Sequence, residues 1–307
     1  MKTDKIIVAG GTGYLGQAII SKFKNTQTQV IVFSRGEEKK ENNVTYLNWN
    51  GKTLDNKWAN SLEGADVLIN LTGKSVDCRY TEKNKKAIIS SRVDSTKVLA
   101  QAINQTNNPP KVWLNASSAT IYKDALDRPM DEFTGEIGEG FSVDVCKQWE
   151  AAFNESITPD TRKVALRISM VLGNSAGVMP VLKKLVKAGL GGKMGDGKQY
   201  MSWIHEKDFI NVLFWLINNE KASGAYNIVA PEPIPNAVFM HLMRRLLNSP
   251  IGLPSTKWML EVGAVFLRTE TELILKSRRV APTRLLNEGF KFEFAGIENA
   301  LKDILKK

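Results

Sequence analysis

The segment Val8–Gly16, with the sequence VAGGTGYLG, decides the fold. It continues the apolar run Ile6-Ile7-Val8 and leads into a stretch whose apolar residues recur at helical spacing. A glycine-rich turn between a buried strand and a helix lets the main chain approach a pyrophosphate, which the amides of the helix N-terminus then bind. We therefore predict a strand, a phosphate-binding turn and a helix here. The residues predicted to contact the phosphates are Gly10, Thr12, Gly13, Tyr14, Leu15 and Gly16.

The end of the second apolar run indicates which dinucleotide this turn would bind. Folds that prefer NAD place Asp or Glu at this point, where the carboxylate binds the ribose hydroxyls, whereas a 2′-phosphate requires cations. This chain has Ser34-Arg35-Gly36 instead. A guanidinium binds phosphate through two hydrogen bonds, so Ser34 and Arg35 predict NADP(H). The alternative is that Arg35 is only a solvated loop charge.

Short apolar runs rich in β-branched residues recur along the chain and alternate with helical patterns. They lack polar alternation, which is typical of strands buried on both faces of a parallel sheet. The further runs are Val30–Phe33, Val44–Leu47, Val67–Ile69, Val112–Leu114, Val164–Leu166 and Tyr226–Val229. We predict an α/β fold with a doubly wound parallel Rossmann sheet and a smaller, mostly helical C-terminal lobe. Residues 1–173 and 205–230 would form the cofactor-binding domain, and residues 174–204 and 231–307 the lobe on the substrate side.

Composition excludes several classes of protein. The 307 residues are 43% hydrophobic and 24% charged, which is the balance of an ordinary globular protein. Two cysteines and two histidines, none at ligand spacing, make a metal site improbable. No apolar run approaches the ~20 residues of a membrane span, and no apolar signal region is seen, so we expect a cytoplasmic protein. The net charge of +10 is scattered, which favours a solvated basic surface over a nucleic-acid partner.

The pattern Gly10-x-x-Gly13-x-x-Gly16 with Ser34-Arg35 resembles the extended short-chain dehydrogenase/reductase superfamily. Asn115–Tyr122, with the sequence NASSATIY, is similar to the strand-five signature of its nucleotide-sugar epimerases. Further segments resemble one atypical subgroup, the "epimerase family" proteins with a helical C-terminal segment. These segments are Asn70–Gly73, Arg79–Thr81, Ser90–Val93, Cys146–Glu150, Gly191-Gly192, Trp203–His205 and Pro282–Leu286.

The resemblance implies more cofactor contacts. The backbone of Leu71-Thr72-Gly73 would pass close to the ribose and phosphates, and Arg92 would point back towards the dinucleotide. Further contacts are implied for Ala116, Ser117, Lys147 and Val171. The competing interpretations are a plain strand end at Leu71-Thr72 and a surface charge at Arg92.

The resemblance also implies a catalytic Tyr, a Lys four residues later and a hydroxyl on strand five, which act on one substrate oxygen. Ser118 supplies the hydroxyl, and alignment places Lys147 at the Lys position. The Tyr position is then Val143, which cannot exchange a proton. The candidates for a substitute acid are Tyr122, Tyr200, Cys146 and His205. The alternatives are that Tyr122 packs under the cofactor, Cys146 packs in the core, and His205 caps a helix.

Two functions remain open. The first is an NADP(H)-dependent oxidoreductase or epimerase acting on a small carbonyl compound or a nucleotide-linked sugar, with Ser118 and Lys147 as catalytic residues. The second is a catalytically weak NADP(H)-binding redox sensor or regulatory protein, since some relatives in the subgroup carry a cell-division-inhibitor label. The resemblance also implies a homodimer, because helices that flank the sheet often form dimers in this superfamily.

Overall fold

The strands form one large sheet and two short ribbons in the computed structural model, which describes residues 3–174, 176–261 and 270–306. In chain order they are β1 Lys5–Ala9, β2 Gln29–Ser34, β3 Lys39–Glu41, β4 Val44–Asn48, β5 Val67–Asn70, β6 Val112–Ser118, β7 Arg162–Ile168, β8 Met170–Leu172, β9 Tyr200–Met201, β10 Trp203–His205, β11 Gly224–Ile228 and β12 Ile234–Pro235. The ribbons pair β8 with β10 and β9 with β12.

The large sheet has the order β11-β7-β6-β5-β1-β2-β4-β3. Every neighbouring pair is parallel except β3 and β4. From β1 the chain first builds outwards through β2 and β4, and then returns to place β5 on the other side of β1. The crevice at the carboxyl ends of β1 and β5 is therefore the topological switch point, where open α/β sheets bind their ligands. The predicted doubly wound parallel sheet is confirmed.

Helices cover both faces of the sheet. They are α1 Tyr14–Phe23, α2 Asn56–Ala59, α3 Glu82–Ile103, α4 Phe141–Asn154, α5 Met179–Lys187, α6 Glu206–Asn218, α7 Asn236–Leu246, α8 Glu272–Leu275, α9 Thr283–Asn287 and α10 Ile297–Leu305, with 3-10 turns at Asn60–Leu62 and Ala119–Ile121. Successive side chains of a strand point to opposite faces of the sheet, so β1 contributes to two cores. Ile6 and Val8 pack with α1 and α6, whereas Ile7 and Ala9 pack with α2, α3 and α4.

A third core lies outside the sheet. It joins α5, α7 and α10 to the segment around β8–β10, through residues such as Met179, Phe239 and Leu301. Its members come from several separate stretches between Met170 and Leu305.

Both edges of the large sheet are protected. At one edge, the three residues of β3 are all charged and exposed. At the other, Arg284 of α9 donates hydrogen bonds to the carbonyl oxygens of Ser223 and Ala225 at 2.7 and 3.0 Å beside β11. In the described part of the chain, no helix combines the length and the apolar character needed to cross a membrane.

Candidate functional site

The glycine-rich turn lies in the crevice between β1 and β5. Gly10 has a φ of +73°, which favours glycine, and its amide donates to Phe33 O at 2.9 Å. A Cβ on Gly10 would stand 3.0 Å from the Cα and N of Thr72. Gly16 packs even more closely, since its Cβ would lie 2.3 Å from Gly11 O. The turn is therefore held against the chain after β5, with α1 pressed onto the turn.

The N-terminus of α1 is open. Gly13 is its N-cap, and within the described residues no side chain caps it and no acidic residue lies in its first turn. Thr12 and Gly13 are exposed, while Tyr14 and Leu15 are half-buried. Unpaired amides and the positive end of the helix dipole both attract an anion. The residues present therefore fit the pyrophosphate of a dinucleotide.

The end of β2 presents a free cation beside this turn. Ser34 is buried and its Oγ accepts the amide of Gly36 at 3.4 Å, which bends the chain after the strand. Arg35 is exposed, and in the ranges that the structure describes it has no hydrogen-bond or ion-pair partner. The amide of Asn48 donates to Glu38 at 3.5 Å, so that acid is bound to the β4 side of the loop. Arg35 is thus available to a ligand.

The chain after β5 is fixed by a buried polar network. The amide of Thr72 donates to Asn70 Oδ1 at 3.0 Å, and Asn70 Nδ2 donates to Asn115 Oδ1 at 2.7 Å. These contacts hold the backbone of Leu71 and Thr72 against Gly10. Leu71-Thr72 therefore forms one wall of the crevice, and its contact with the cofactor stays a prediction.

Arg92 projects from α3 towards the same segment and is not a surface charge. Its Nη1 donates to the carbonyl oxygens of Lys74 and Ile88 at 3.0 and 2.9 Å, and its guanidinium lies 5.0 Å from the ring centre of Trp149. A Cβ on Gly73 would meet its Cζ at 2.9 Å. Gly73 and Arg92, which were each predicted to contact the cofactor, therefore lie together after the end of β5.

The hydroxyl of Ser117 faces away from the crevice. It donates to Glu150 Oε1 at 2.6 Å, and Arg167 binds both carboxylate oxygens of Glu150 at 2.9 and 2.8 Å. Both charged side chains are almost buried. Only the backbone of Ala116 and Ser117 remains available for the predicted cofactor contacts. The role of Glu150 was not predicted from the sequence, although an acid on the inner face of α4 and an Arg at the end of an apolar strand are visible signals.

Tyr122 is part of this buried network. Its hydroxyl donates to Asn227 Oδ1 at 3.0 Å and accepts from Arg167 Nη1 at 2.7 Å. Burial raises the pKa of the phenol although Arg167 opposes the shift. With 1% of its surface exposed, Tyr122 is a structural residue, and it is removed from the candidate acids.

A chain of hydrogen-bonding groups leads from α4 to the predicted catalytic hydroxyl. The Sγ of Cys146 lies 3.4 Å from Thr120 Oγ1, which donates to Ser118 Oγ at 3.0 Å. Ser118 in turn donates to Ile168 O over a long 3.4 Å. Burial raises the pKa of the Cys146 thiol, and the charges of Arg92 and Arg278 counteract this only in part. Cys146 is therefore a neutral thiol behind Ser118.

The structure does not bring Lys147 and Ser118 together. Lys147 is exposed on the outer face of α4, whereas Val143 is 1% exposed and lies on the face of α4 that packs against the protein. The side chains of α4 that reach β6 and its following turn are Cys146 and Glu150, which are four residues apart on one face. The part of the chain that the structure describes offers Lys147 no hydrogen-bond partner. Its assignment as a catalytic and ribose-binding residue stays a prediction.

The other predicted residues have clear places. His205 caps α6, since its Nδ1 accepts the amide of Lys207 at 3.0 Å, which confirms the structural alternative. Tyr200 packs under the guanidinium of Arg279, 4.6 Å from its ring centre. Val171 is buried in β8, at the end of the loop beyond β7. No group of three metal-ligating side chains is found in the described ranges.

A parallel sheet with a dinucleotide turn at its switch point defines a Rossmann-type protein, and comparison with known families assigns it further. Residues 6–229 match the model of the NAD dependent epimerase/dehydratase family, and residues 256–304 match a domain of unknown function, DUF1731. The chain belongs to the NAD dependent epimerase/dehydratase family. The resemblance to the "epimerase family" subgroup is thereby confirmed.

Individual relatives align with nearly the whole length of this chain. An epimerase family protein of Staphylococcus aureus is 30% identical over 304 residues, which are 98% of this chain and 99% of that protein. The human epimerase family protein SDR39U1, crystallised with NADPH, aligns with a TM-score of 0.85 and 30% identity over 98% of both chains. The nucleoside-diphosphate sugar epimerase of Corynebacterium glutamicum aligns with a TM-score of 0.78 and 28% identity, over 99% of this chain and 58% of that one.

Proposed function

We propose that this protein is an NADP(H)-dependent oxidoreductase or epimerase-like enzyme acting on a carbonyl compound or a nucleotide-linked sugar. The observation that carries the proposal is the uncapped N-terminus of α1 beside the unpaired Arg35. One structural relative was crystallised with NADPH, and a more distant one is named a sugar epimerase. Both descriptions are consistent with this reading of the crevice.

The residues proposed to hold the dinucleotide line the crevice from β2 to β8. The amides after Gly13 would bind the pyrophosphate, and Ser34 and Arg35 the 2′-phosphate. The segment from Leu71 to Gly73 would lie along the ribose, with Arg92 behind it. The cofactor, when bound, supplies a hydride to a carbonyl carbon while a proton from solvent completes the alcohol.

Ser118 is proposed to bind the reacting oxygen. Its present hydrogen bond to Ile168 O is long, so the hydroxyl can turn to a substrate oxygen at little cost. Thr120 donates to Ser118 Oγ and would hold it in that orientation. The Tyr position predicted on α4 is Val143, and general acid–base catalysis is worth about 10²–10⁴ in rate. We therefore expect slow turnover.

The second candidate is a regulatory protein that binds NADP(H) with little turnover. It is favoured by the inner face of α4, where the buried Val143 stands at the predicted Tyr position and a neutral Cys146 lies behind Ser118. Such a face would keep the cofactor bound without passing protons to a substrate.

Cofactor choice is tested by fluorescence titration with NADPH and NADH. The wild-type protein is expected to bind NADPH more tightly, and Arg35→Asp is expected to reverse the order, because a carboxylate repels the 2′-phosphate and binds the ribose hydroxyls. Lys52→Asp, an exposed cation on a neighbouring loop, is the control for net charge. Equal affinities for both nucleotides in the wild type would refute the phosphate site.

Turnover is tested with 4-deuterated NADPH and a panel of carbonyl compounds and sugar nucleotides. Deuterium in a product, lost in Ser118→Ala, supports the enzyme. Tight cofactor binding without deuterium transfer to any compound supports the regulatory protein instead.

We also propose that the segments 174–204 and 231–307 form the substrate-side lobe. Support comes from the separate core that joins α5, α7 and α10.

A further inference from the structure

The surface around the C-terminal end of α5 presents apolar side chains to solvent. In the described part of the chain, six of the twelve exposed large apolar side chains lie within residues 181–190 and 251–259. They are Val181, Leu190, Ile251, Leu253, Trp258 and Met259. Ile251 is 60% exposed and Trp258 is 65% exposed. Single exposed apolar residues are ordinary on a protein surface, whereas a concentration of them marks a surface that binds another molecule.

Main-chain hydrogen bonds hold the two segments side by side. The amide of Leu253 donates to Gly189 O at 2.8 Å, and the amide of Gly192 donates to Leu253 O at 3.1 Å. A Cβ on Gly189 would lie 3.4 Å from Ile251 Cγ2. Leu190 follows Gly189 directly in the chain. Leu190, Ile251 and Leu253 therefore emerge from neighbouring stretches of backbone and form one patch.

Lysines accompany the apolar side chains of this patch. Residues 176–195 and 248–260 contain five lysines and no Asp or Glu, and the next acids, Asp196 and Glu261, come after the two segments end. The lysines are Lys183, Lys184, Lys187, Lys193 and Lys257. Val181, Lys184 and Lys187 are exposed at intervals of three residues, so they share the outer side of α5. Within the described ranges, neither Lys184 nor Lys187 forms an ion pair.

We propose that this patch docks on an anionic membrane surface, with its apolar side chains among the lipids and its lysines on the headgroups. Negative headgroups complement a lysine cluster without acids, and Trp is enriched where protein meets the membrane interface. Apolar side chains that insert at such an interface are buried among the acyl chains. This docking requires no spanning helix, so it agrees with the described helices. It is independent of the proposed function.

The composition of the patch argues against two other occupants. A second copy of the chain that met the first through this patch would bring both sets of lysines together, and like charges repel across a symmetric contact. A nucleic acid would neutralise the lysines through its phosphates. Its charged backbone would, however, leave Ile251 and Leu253 in water. A lipid surface satisfies the charged and the apolar side chains together.

The test is sedimentation of the full-length protein with phospholipid vesicles. We expect binding to vesicles of equal parts phosphatidylcholine and phosphatidylglycerol, much weaker binding to phosphatidylcholine alone, and weaker binding at high salt because salt screens the lysines. The double variant Lys184→Glu with Lys187→Glu should bind at least about tenfold more weakly, since one basic residue at an anionic surface contributes a factor of about five. Ile251→Ser with Leu253→Ser should also lose at least about tenfold, because less apolar surface is buried.

Two matched controls change the surface elsewhere. Lys83→Glu with Lys86→Glu reverses two exposed lysines at the same spacing on α3, and Ile157→Ser removes an apolar side chain that is 78% exposed. Both are expected to bind the mixed vesicles like the wild type. Thermal unfolding of every sample reports on folding, and Ile251→Ser alone replaces the double variant if that variant does not fold.

Four results would overturn the proposal. The first is a wild-type protein that does not bind the mixed vesicles, and the second is an equal loss in the Lys83 and Lys86 control, which would reduce the effect to net charge. The third is unchanged binding after loss of Ile251 and Leu253. The fourth is a different occupant, seen as RNA or DNA binding without vesicle binding, or as a dimer in sedimentation velocity that these serine substitutions abolish. The NADPH titration on the same samples reports separately on the proposed function.

Discussion

The substitution Gly13→Ala adds one methyl group and should weaken the proposed cofactor binding without affecting folding. Its φ of −77° and ψ of 175° suit any residue, and a Cβ there has Gly10 O at 4.0 Å as its nearest neighbour. Gly13→Ala therefore creates no collision in the protein itself. The weaker capping by Ala costs about 0.5–1 kcal/mol, and the stiffer unfolded chain returns about 0.4–1 kcal/mol. We expect stability to change by less than about 0.5 kcal/mol.

The same methyl group adjoins the amides that would bind the pyrophosphate. One extra carbon in a close contact costs about 1–3 kcal/mol. Since about 1.4 kcal/mol corresponds to a factor of ten, NADPH affinity should fall by about 5- to 150-fold. The assay is a fluorescence titration with NADPH, together with thermal unfolding of the same samples.

Substitutions of two other glycines serve as controls for this experiment. Gly296→Ala changes the N-cap of α10, which is also uncapped by side chains of the described chain and has its nearest atom at 3.8 Å. It should match Gly13→Ala in stability and leave NADPH binding unchanged. Gly10→Ala combines a left-handed φ with a contact at 3.0 Å, so it should destabilise by at least about 2 kcal/mol. NADPH affinity that is unchanged in Gly13→Ala would refute the assignment of this turn to the phosphates.

Two further predictions concern buried titratable groups. Burial lowers the pKa of His205 although Asp303 opposes it, so the unfolded chain binds the extra proton and stability should fall as pH drops from 7.5 to 5.5. His205→Asn keeps a capping group, and its urea midpoints should lack this pH slope; equal slopes would show that another group is responsible. Glu150→Ala leaves Arg167 buried and unpaired, which should cost about 3–5 kcal/mol by urea unfolding. Glu136→Ala removes two exposed ion pairs, with Lys123 and Arg128, and should cost less than about 1 kcal/mol. Equal losses in the two variants would contradict the buried-pair argument.

The sheet was predictable because its strands are continuous apolar runs. Buried on both faces, each such run has no polar alternation, and the runs ending at Val8 and Phe33 lie within β1 and β2. Strand β3 was not predicted, since Lys39–Glu41 contains no apolar residue. The ribbons β8–β10 and β9–β12 were missed for another reason. Their strands are two or three residues long, and their partners lie far away in sequence.

The glycine-rich turn is local, so its residues and spacing could be predicted together with the open N-terminus of α1. The surroundings of Ser118 could not, because they depend on which face of α4 meets β6. Alignment placed Lys147 opposite Ser118, whereas Cys146 is the residue that contacts Thr120. One position along a helix turns a side chain by about 100°, which a motif count does not resolve. The link between Glu150 and Arg167 likewise requires knowledge of the packing.

The two protected borders of the large sheet bear on how copies of this chain can associate. Strands with free main-chain groups recruit further strands, and a row of exposed charges is a recognised deterrent. Lys39–Glu41 supplies that deterrent on one flank, and the guanidinium of Arg284 occupies carbonyl oxygens on the opposite flank. A sheet continuing from one molecule into the next is thus disfavoured on either side. Self-association, where it occurs, would therefore use surfaces other than these two sheet edges.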